Sequence, residues 1–520
     1  MMFNSPEKML GTAYGMISKE SKKAFVSACI IGFITHFYAF ANLMFNYDSA
    51  LSFGHNIEGT ASGRWSLKWA TSLSGNLQMP AVIMLYSIIF LALTAVCVVA
   101  VLKIHSTGGI VLTSGFIVTF PTVVCTVSYV FTADAYFLSM FLAAFCVWIT
   151  TKYKYGFLPA SLILAVSVGI YQAYFCMAAA LFVLRAILDL VEENLSWKEI
   201  WLRIARYLIV LIGGLILYYG ILQLMLVIKH TSLSNYRSIN QMGKFDILKL
   251  PVLIKETIYE VYAYFCKMDK FSFISRFVVW MQRIVCVAVP SLLLFLCLYK
   301  KGKKPWLKIM LAWIALAMFP IAANLMHILN PQEVPHILMI YAFVLLFVFF
   351  VKLAELATDW ISNINCKAIL AWCSGILCVV LVFQSYILTN SSYFRLQISD
   401  NETYLFASRI VQRIEMQESY SAQTPIYIVG NLPYENYPKA REGMFKFSDD
   451  MTGICSDYFF FSPDQTTEFI ENYLGFSLLS ATPEQINAIK ASDAYRAMPI
   501  YPHPESVQTI EGVIVVRMGE

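Results

Sequence analysis

The stretch HFYAFANLMFNYDSALSFGHNIEGTASGRWSLKWATSLSGNLQMP, residues 36–80, decides the fold. It joins two apolar runs. The run over residues 24–44 is long enough to cross a bilayer, and the run from residue 81 carries the chain back. Between them lie Asn46, Asp48, His55, Glu58, Arg64 and Lys68, so polar chemistry collects where the hydrocarbon stops.

The rest of the chain has the same character. Of 520 residues, 58% are hydrophobic and 14% charged, and the mean hydropathy is +0.63. One soluble core could not bury so much apolar surface, so the protein is integral to a membrane. In lipid every backbone polar group must be satisfied within its own segment or barrel, and uninterrupted apolar runs near 20 residues are helices. The fold class is therefore a polytopic α-helical membrane protein. Eleven spans are expected, at 24–44, 80–102, 108–131, 133–150, 156–170, 172–190, 207–229, 277–299, 306–327, 335–353 and 368–388.

The net charge of +5 carries no nucleic-acid footprint, because basic residues sit in short clusters between spans. Those clusters report topology. Lys103, Lys152 and Lys154, then Arg185, Lys198, Arg203 and Arg206, then Lys300 to Lys304, then Lys352 and Lys367 would mark inside loops. The N-terminal run is longer than a signal-peptide core and has no small-residue cleavage site, so it reads as an uncleaved anchor with a cytoplasmic N-terminus. An odd span count puts the C-terminus outside. The 12 cysteines include no CxxC pair and read as small apolar residues between helices.

Residues 156–190 read as two short helices meeting near Tyr171 and Gln172, because basic clusters flank both sides and Gly169 precedes the junction. Residues 192–206, with Trp197, Ile200 and Trp201, read as an amphipathic helix on the inner interface, and 245–265 as a second amphipathic segment. The division is into a membrane domain, 1–388, whose first outside loop is 45–79, and a soluble α/β tail, 389–520. In the tail, PIYIVG and GVIVVRM have the pattern of short buried strands, and PDQTTEFIENYLG and TPEQINAIKAS that of helices.

Several side chains fit chemistry at the outer face. Asp48 could act as a general base toward an incoming hydroxyl, or simply punctuate the loop. Asp134 would bring a second acid to that face, to orient an acceptor or meet a divalent cation, or would cap the fourth span. Trp65, Trp69 and Leu73 recur at i, i+4 and i+8, which suggests an interfacial helix with its tryptophans among lipid headgroups. Arg64 on that stretch suits a lipid phosphate, with Lys68 as a weaker partner, although both could snorkel. Asn46, Tyr171 and Gln172 are the candidates for sugar hydroxyls, and Gln172 could equally bond between helices. Arg237, in an outside loop long enough to cover a cavity, and His336, in MHILNPQEVPHI, could complete a phosphate site. No zincin spacing occurs, so no resident metal ligands are assigned.

The pattern H-x-Y-x-x-x-N-x-x-F-N-Y-D-S over residues 36–49, followed by G-R-W at 63–65 and a proline opening the second span, resembles the GtrII-type glucosyltransferase family of bacterial envelopes, polytopic enzymes of the GT-C architecture. IYQAY at 170–174 and a soluble tail after the last span also resemble it. The resemblance implies an inner-membrane enzyme with its site on the outer side, transferring a sugar, typically glucose, with inversion from a polyprenyl-phosphate donor to an envelope glycan. It implies that Asp48 is the catalytic base and that Asp134 matches the acid of the second outside loop. It assigns no role to Arg64 or His336, and the missing D-x-D pair leaves a divalent cation open. The rival class is a transporter or flippase for lipid-linked saccharides, against which stand span centres nearly free of charge.

Overall fold

The computed structural model describes residues 5–53, 57–192, 195–243, 247–268, 270–299, 305–333, 335–432, 450–454 and 462–519. A short helix, α1 (Pro6–Met16), precedes the first long one, α2 (Lys19–Ala41), whose first turn is capped by the Ser18 hydroxyl accepting from Ser21 N at 3.1 Å. α2 kinks at His36, where the backbone leaves helical geometry. The buried ring meets Val118 O at 2.8 Å and the Tyr393 hydroxyl at 2.5 Å, so one polar side chain ties three parts of the bundle.

Among the described residues the first loop holds one α-helix, the five-residue α3 (Leu67–Thr71), and three 3-10 turns, Ala50–Ser52, Thr60–Ser62 and Ser72–Ser74. Pro80 then opens α4 (Pro80–Leu102), a position where its missing N–H costs nothing. α5 (Thr107–Thr119) and α6 (Pro121–Val127) form one broken rod, bent by 43° where Pro121 cannot donate to the helix. α7 (Ala133–Lys152), α8 (Phe157–Ile170), α9 (Phe175–Val191) and α10 (Trp197–Ile228) follow. Beyond them come α11 (Leu250–Cys266), α12 (Arg276–Tyr299), α13 (Trp306–Ala323), α14 (Leu325–Leu329), α15 (Val344–Trp360) and α16 (Ile364–Glu415).

α2 packs on α4 and α5, α4 on α7, α7 on α8, α8 on α10, and α9 on α13. α9 and α15 are mainly apolar and almost wholly buried, which makes them the centre of the bundle. α10, α13 and the first half of α16 instead expose large apolar side chains such as Ile216, Ile314 and Trp372, the surface that lipid covers.

The span count needs correcting. Among the described residues nine helices are long and apolar enough to cross, or ten if α5 with α6 is one span. The eleventh, α8, has 14 residues and rises roughly 21 Å, short of a hydrocarbon core of about 30 Å. Its junction with α9 is a break in which Tyr171 is extended and Gln172–Tyr174 form a 3-10 turn.

Two other expectations change. The amphipathic stretch before residue 207 is no separate surface helix, because α10 begins at a Ser196–Glu199 capping box and runs unbroken for 32 residues. Arg185 and Lys352 are not loop cations either. Arg185 is buried against Asp189 at 2.6 Å, and Lys352 against Glu355 at 3.4 Å and Lys103 O at 2.8 Å, both at the bundle end opposite the first loop.

α16 passes straight through residue 389, within an unbroken course of 52 residues. Phe406, Ala407, Ile410 and Ile414 on its far half share a core with strand β1 (Ile426–Val429), strand β3 (Val513–Arg517) and α17 (Pro463–Tyr473). The sheet order is β1-β3-β2, with β2 (Val507–Ile510) antiparallel and β1 parallel to β3, Ile426 facing Ile514. α18 (Pro483–Ala491) and α19 (Asp493–Ala497) complete the described tail. Phe45 and Ala50 of the first loop belong to that same core.

Candidate functional site

The first loop is anchored by Asn46. Its side-chain oxygen accepts from Asp48 N at 2.9 Å and Ser49 Oγ at 3.1 Å, and its amide nitrogen donates to Ser128 O at 2.8 Å. Asn46 is fully buried and uses both ends of its amide in this way, so it shapes the Asp48 turn. Asp48 itself is half-buried at the tip of that turn. Because Ser128 and Tyr129, whose hydroxyl meets that of Tyr47 at 2.5 Å, lead directly into α7, the turn bearing Asp48 is tied to the segment that delivers Asp134.

Asp134 lies in the first turn of α7, 1% exposed, where its carboxylate accepts from Ala135 N at 2.8 Å and meets Ser74 of the first loop. A carboxylate there faces the positive end of the helix dipole. Thr132 stands at the N-cap position without a side-chain bond, so the free first-turn amide of Ala135 is met by Asp134, as the capping alternative expects. Two residues on, Tyr136 stacks on Tyr171 with ring centroids 4.4 Å apart and planes at 17°. The Arg64 guanidinium donates to the Tyr136 hydroxyl at 2.9 Å and lies 5.0 Å from the Tyr171 ring centre, a cation held on aromatic faces. Arg64, Tyr136 and Tyr171 thus meet, and sequence reading passed over Tyr136 although it lies two residues after Asp134, whose own partner is Ser74 of the first loop.

The loop reaches this place by close backbone approach. Ser66 N donates to Gly169 O at 3.0 Å, and its hydroxyl to Val166 O at 3.0 Å. A Cβ on Gly169 would come within 2.5 Å of the Trp65 ring, so the glycine before the break admits the tryptophan. Trp65 is consequently buried while Trp69 stays exposed, and the expected interfacial helix shrinks to α3. Gln172 donates to Ser62 O at 2.9 Å and Tyr218 to Gly63 O at 3.0 Å. Gln172 therefore ties the loop to the break.

Lys68 sits 3.9 Å from Glu58, which Lys229 engages at 2.6 Å. Partial burial would raise the Glu58 carboxyl, but hydrogen bonds from Lys229 and Thr60 outweigh it and hold it below the usual glutamate value. Lys68 is thus part of a surface ion cluster beside the loop. Arg237 is described in its backbone alone, in the 3-10 turn Tyr236–Gln241, and Ser234 N of the same connection donates to Ala61 O at 2.9 Å. His55 lies outside the described residues. His336 is half-buried and opens the 3-10 turn Ile337–Met339, which packs on α6 and on Gln172–Tyr174, so it joins the same end of the bundle. Among the described residues no three His, Cys, Asp or Glu gather as metal ligands.

The tail closes over the Asp48 turn, a contact no local pattern announces. Gln465 of α17 donates to Tyr47 O at 2.5 Å, Tyr473 bonds to Ser49 O at 3.3 Å and to Gln78 at 3.2 Å, and Asp400 of α16 accepts from Phe45 N at 3.2 Å.

The family model described as Glucosyl transferase GtrII matches residues 37–349, and the chain belongs to that family. The match takes in Asp48, Arg64, Asp134, Tyr171, Arg237 and His336 and stops before α16. Neither the curated proteins nor the solved structures gave a match. The protein is a membrane glycosyltransferase of the glucosyltransferase kind.

Proposed function

We propose that the protein transfers a sugar, glucose by family, from a polyprenyl-phosphate donor to a cell-envelope glycan, with inversion, at the outer face of a bacterial inner membrane. The observation that supports the reading is the first loop itself, which holds Arg64 on the Tyr136–Tyr171 pair, meets Asp134 through Ser74, and carries the Asp48 turn tied by Asn46 to Ser128. A donor whose chain lies in lipid has its reacting bond just outside the hydrocarbon, which is where the first loop sits.

In this scheme Asp48 takes the proton of the acceptor hydroxyl as its oxygen attacks the anomeric carbon. The bond from that carbon to the phosphate oxygen breaks, and the lipid phosphate leaves with the negative charge. A fixed cation stabilises that charge more in the transition state than in the ground state, and Arg64 is the proposed cation, with Lys68, Arg237 and His336 nearest in sequence and topology. The scheme draws on no divalent cation. Asp134 orients the first loop through Ser74.

The test uses purified protein and Asp48→Asn in detergent with polyprenyl-phosphate glucose, following release of free lipid phosphate. Acceptor-dependent release by the parent and none by an equally stable variant is expected. Equal release would remove Asp48 from the chemistry. No release with any sugar and acceptor, combined with lipid-linked saccharide crossing liposomes that hold the protein, would make it a flippase.

A further inference from the structure

At the end of the bundle opposite the first loop, a cavity of about 920 Å³ opens between the start of α2, the ends of α4, α7 and α9, and the start of α10. Lys22, Lys103, Lys152, Arg185 and Arg203 line it, and among the described residues no acidic side chain does. The rest of the wall is largely apolar, with Phe25, Val26, Leu93, Val96 and Trp148. Its size falls in the range of roughly 300–1,000 Å³ typical of ligand sites.

The cations are built into the fold. Arg185, 2% exposed, donates to Val101 O at 3.1 Å and pairs with Asp189 at 2.6 Å. Arg203 reaches the same Asp189 oxygen at 2.7 Å, and Tyr207 donates to the other at 2.8 Å. Two guanidinium groups thus share one carboxylate. At the rim, Lys22 lies 3.7 Å from the Tyr14 ring of α1 and Lys152 lies 4.6 Å from the Trp148 ring, so both ammonium groups are steered by aromatic faces. A smaller cavity alongside, lined by Lys152, Lys154, Arg203 and Arg206, extends the positive surface. Glu20 lines another beside Lys103.

A positive rim above an apolar wall, at the end of a membrane bundle, complements a group with phosphate at one end and hydrocarbon at the other. We propose that this cavity binds the phosphate headgroup of an anionic membrane lipid, at a site separate from the one at the first loop. The phosphate lies between Lys22, Lys152 and the fixed arginines, and the acyl chains run along Phe25, Val26 and Leu93. A water-soluble phosphate would leave that apolar wall uncovered, which is why a lipid is favoured.

Trp148 supplies the probe. The full-length protein would be placed in phosphatidylcholine vesicles carrying either bromine-labelled phosphatidylglycerol or bromine-labelled phosphatidylcholine, and the Trp148 signal isolated by difference from Trp148→Phe. Brominated phosphatidylglycerol is expected to quench that signal at about a tenfold lower mole fraction than brominated phosphatidylcholine. Lys22→Gln combined with Lys152→Gln is expected to remove the preference with the melting temperature unchanged. Equal quenching by the two lipids in the parent protein overturns the proposal, whatever the variants do. So does a preference that survives the double substitution, which would mean annular lipid only. Relief of quenching by added inorganic phosphate would make the ligand a free phosphate and overturn the lipid assignment.

Discussion

Gly63→Ala tests how the first loop is held. Gly63 sits at φ +74°, and a Cβ there would lie 2.7 Å from Gln172 Nε2 and 2.8 Å from the Tyr218 hydroxyl oxygen. The left-handed backbone costs an alanine about 1–2 kcal/mol. Crowding against two buried polar groups adds about 1–3 kcal/mol. The bonds from Gln172 to Ser62 O and from Tyr218 to Gly63 O contribute about 1 kcal/mol each, so the penalty equals or exceeds what they supply. The loop is therefore expected to lift at Ser62–Gly63 and carry Arg64 off the Tyr136–Tyr171 pair. At about 1.4 kcal/mol per tenfold, a net loss of one to two such units lowers transfer by roughly 10- to 100-fold. The assay is release of lipid phosphate by detergent-purified protein, read beside the melting temperature. Adding Gln172→Ala and Tyr218→Phe removes both clashing groups and is expected to restore part of the rate. Full activity in Gly63→Ala, or no recovery in the triple variant, would refute the seating of the loop as the cause.

Arg64→Lys keeps the charge but loses the planar fork, and Arg64→Ala loses both; transfer is expected to fall about tenfold in the first and about 100- to 1,000-fold in the second, measured as kcat at saturating donor. Equal losses would mean that Arg64 acts only by packing. Gln465→Ala with Tyr473→Phe removes the tail's grip on the Asp48 turn, and kcat is expected to drop several-fold while the helical circular dichroism stays unchanged. Glu58, with its carboxyl held below the ordinary value, contributes stability that is complete above its unfolded value of about 4.5 and is lost as pH falls through the lower folded one. Glu58→Gln should thus flatten any acid loss of stability below about pH 4.5, read by melting temperature against pH.

The spans were legible because lipid imposes one rule on every crossing segment, and apolar runs expose it directly. The break at Tyr171 was legible for a related reason: two basic clusters flanking an apolar stretch too long for one short crossing and too short for two full ones. What hydropathy does not report is where a helix ends when it leaves the membrane. At residue 389 the side chains turn polar and α16 simply continues, and at Trp197 an amphipathic start flows into α10. The residue types along the first loop are plain in the sequence, but the neighbours they meet are not. Burial of Trp65 depends on Gly169, and the amides of Asn46 and Gln172 face backbone carbonyls 82 and 110 residues away. The clasp of Gln465 on Tyr47 spans 418 residues, beyond any periodicity.

The unbroken course of α16 fixes the tail as a lever, with no swivel between membrane and sheet. Its 52 residues make a rod of roughly 78 Å, gripped by lipid at one end and by the β1–β3 core at the other. Each residue added to such a rod turns everything beyond it by about 100° and raises it by about 1.5 Å. Gln465 meets Tyr47 at only one azimuth, so the length of α16 is set in whole helical repeats, and homologous chains can change it by about seven residues at a time far more readily than by one.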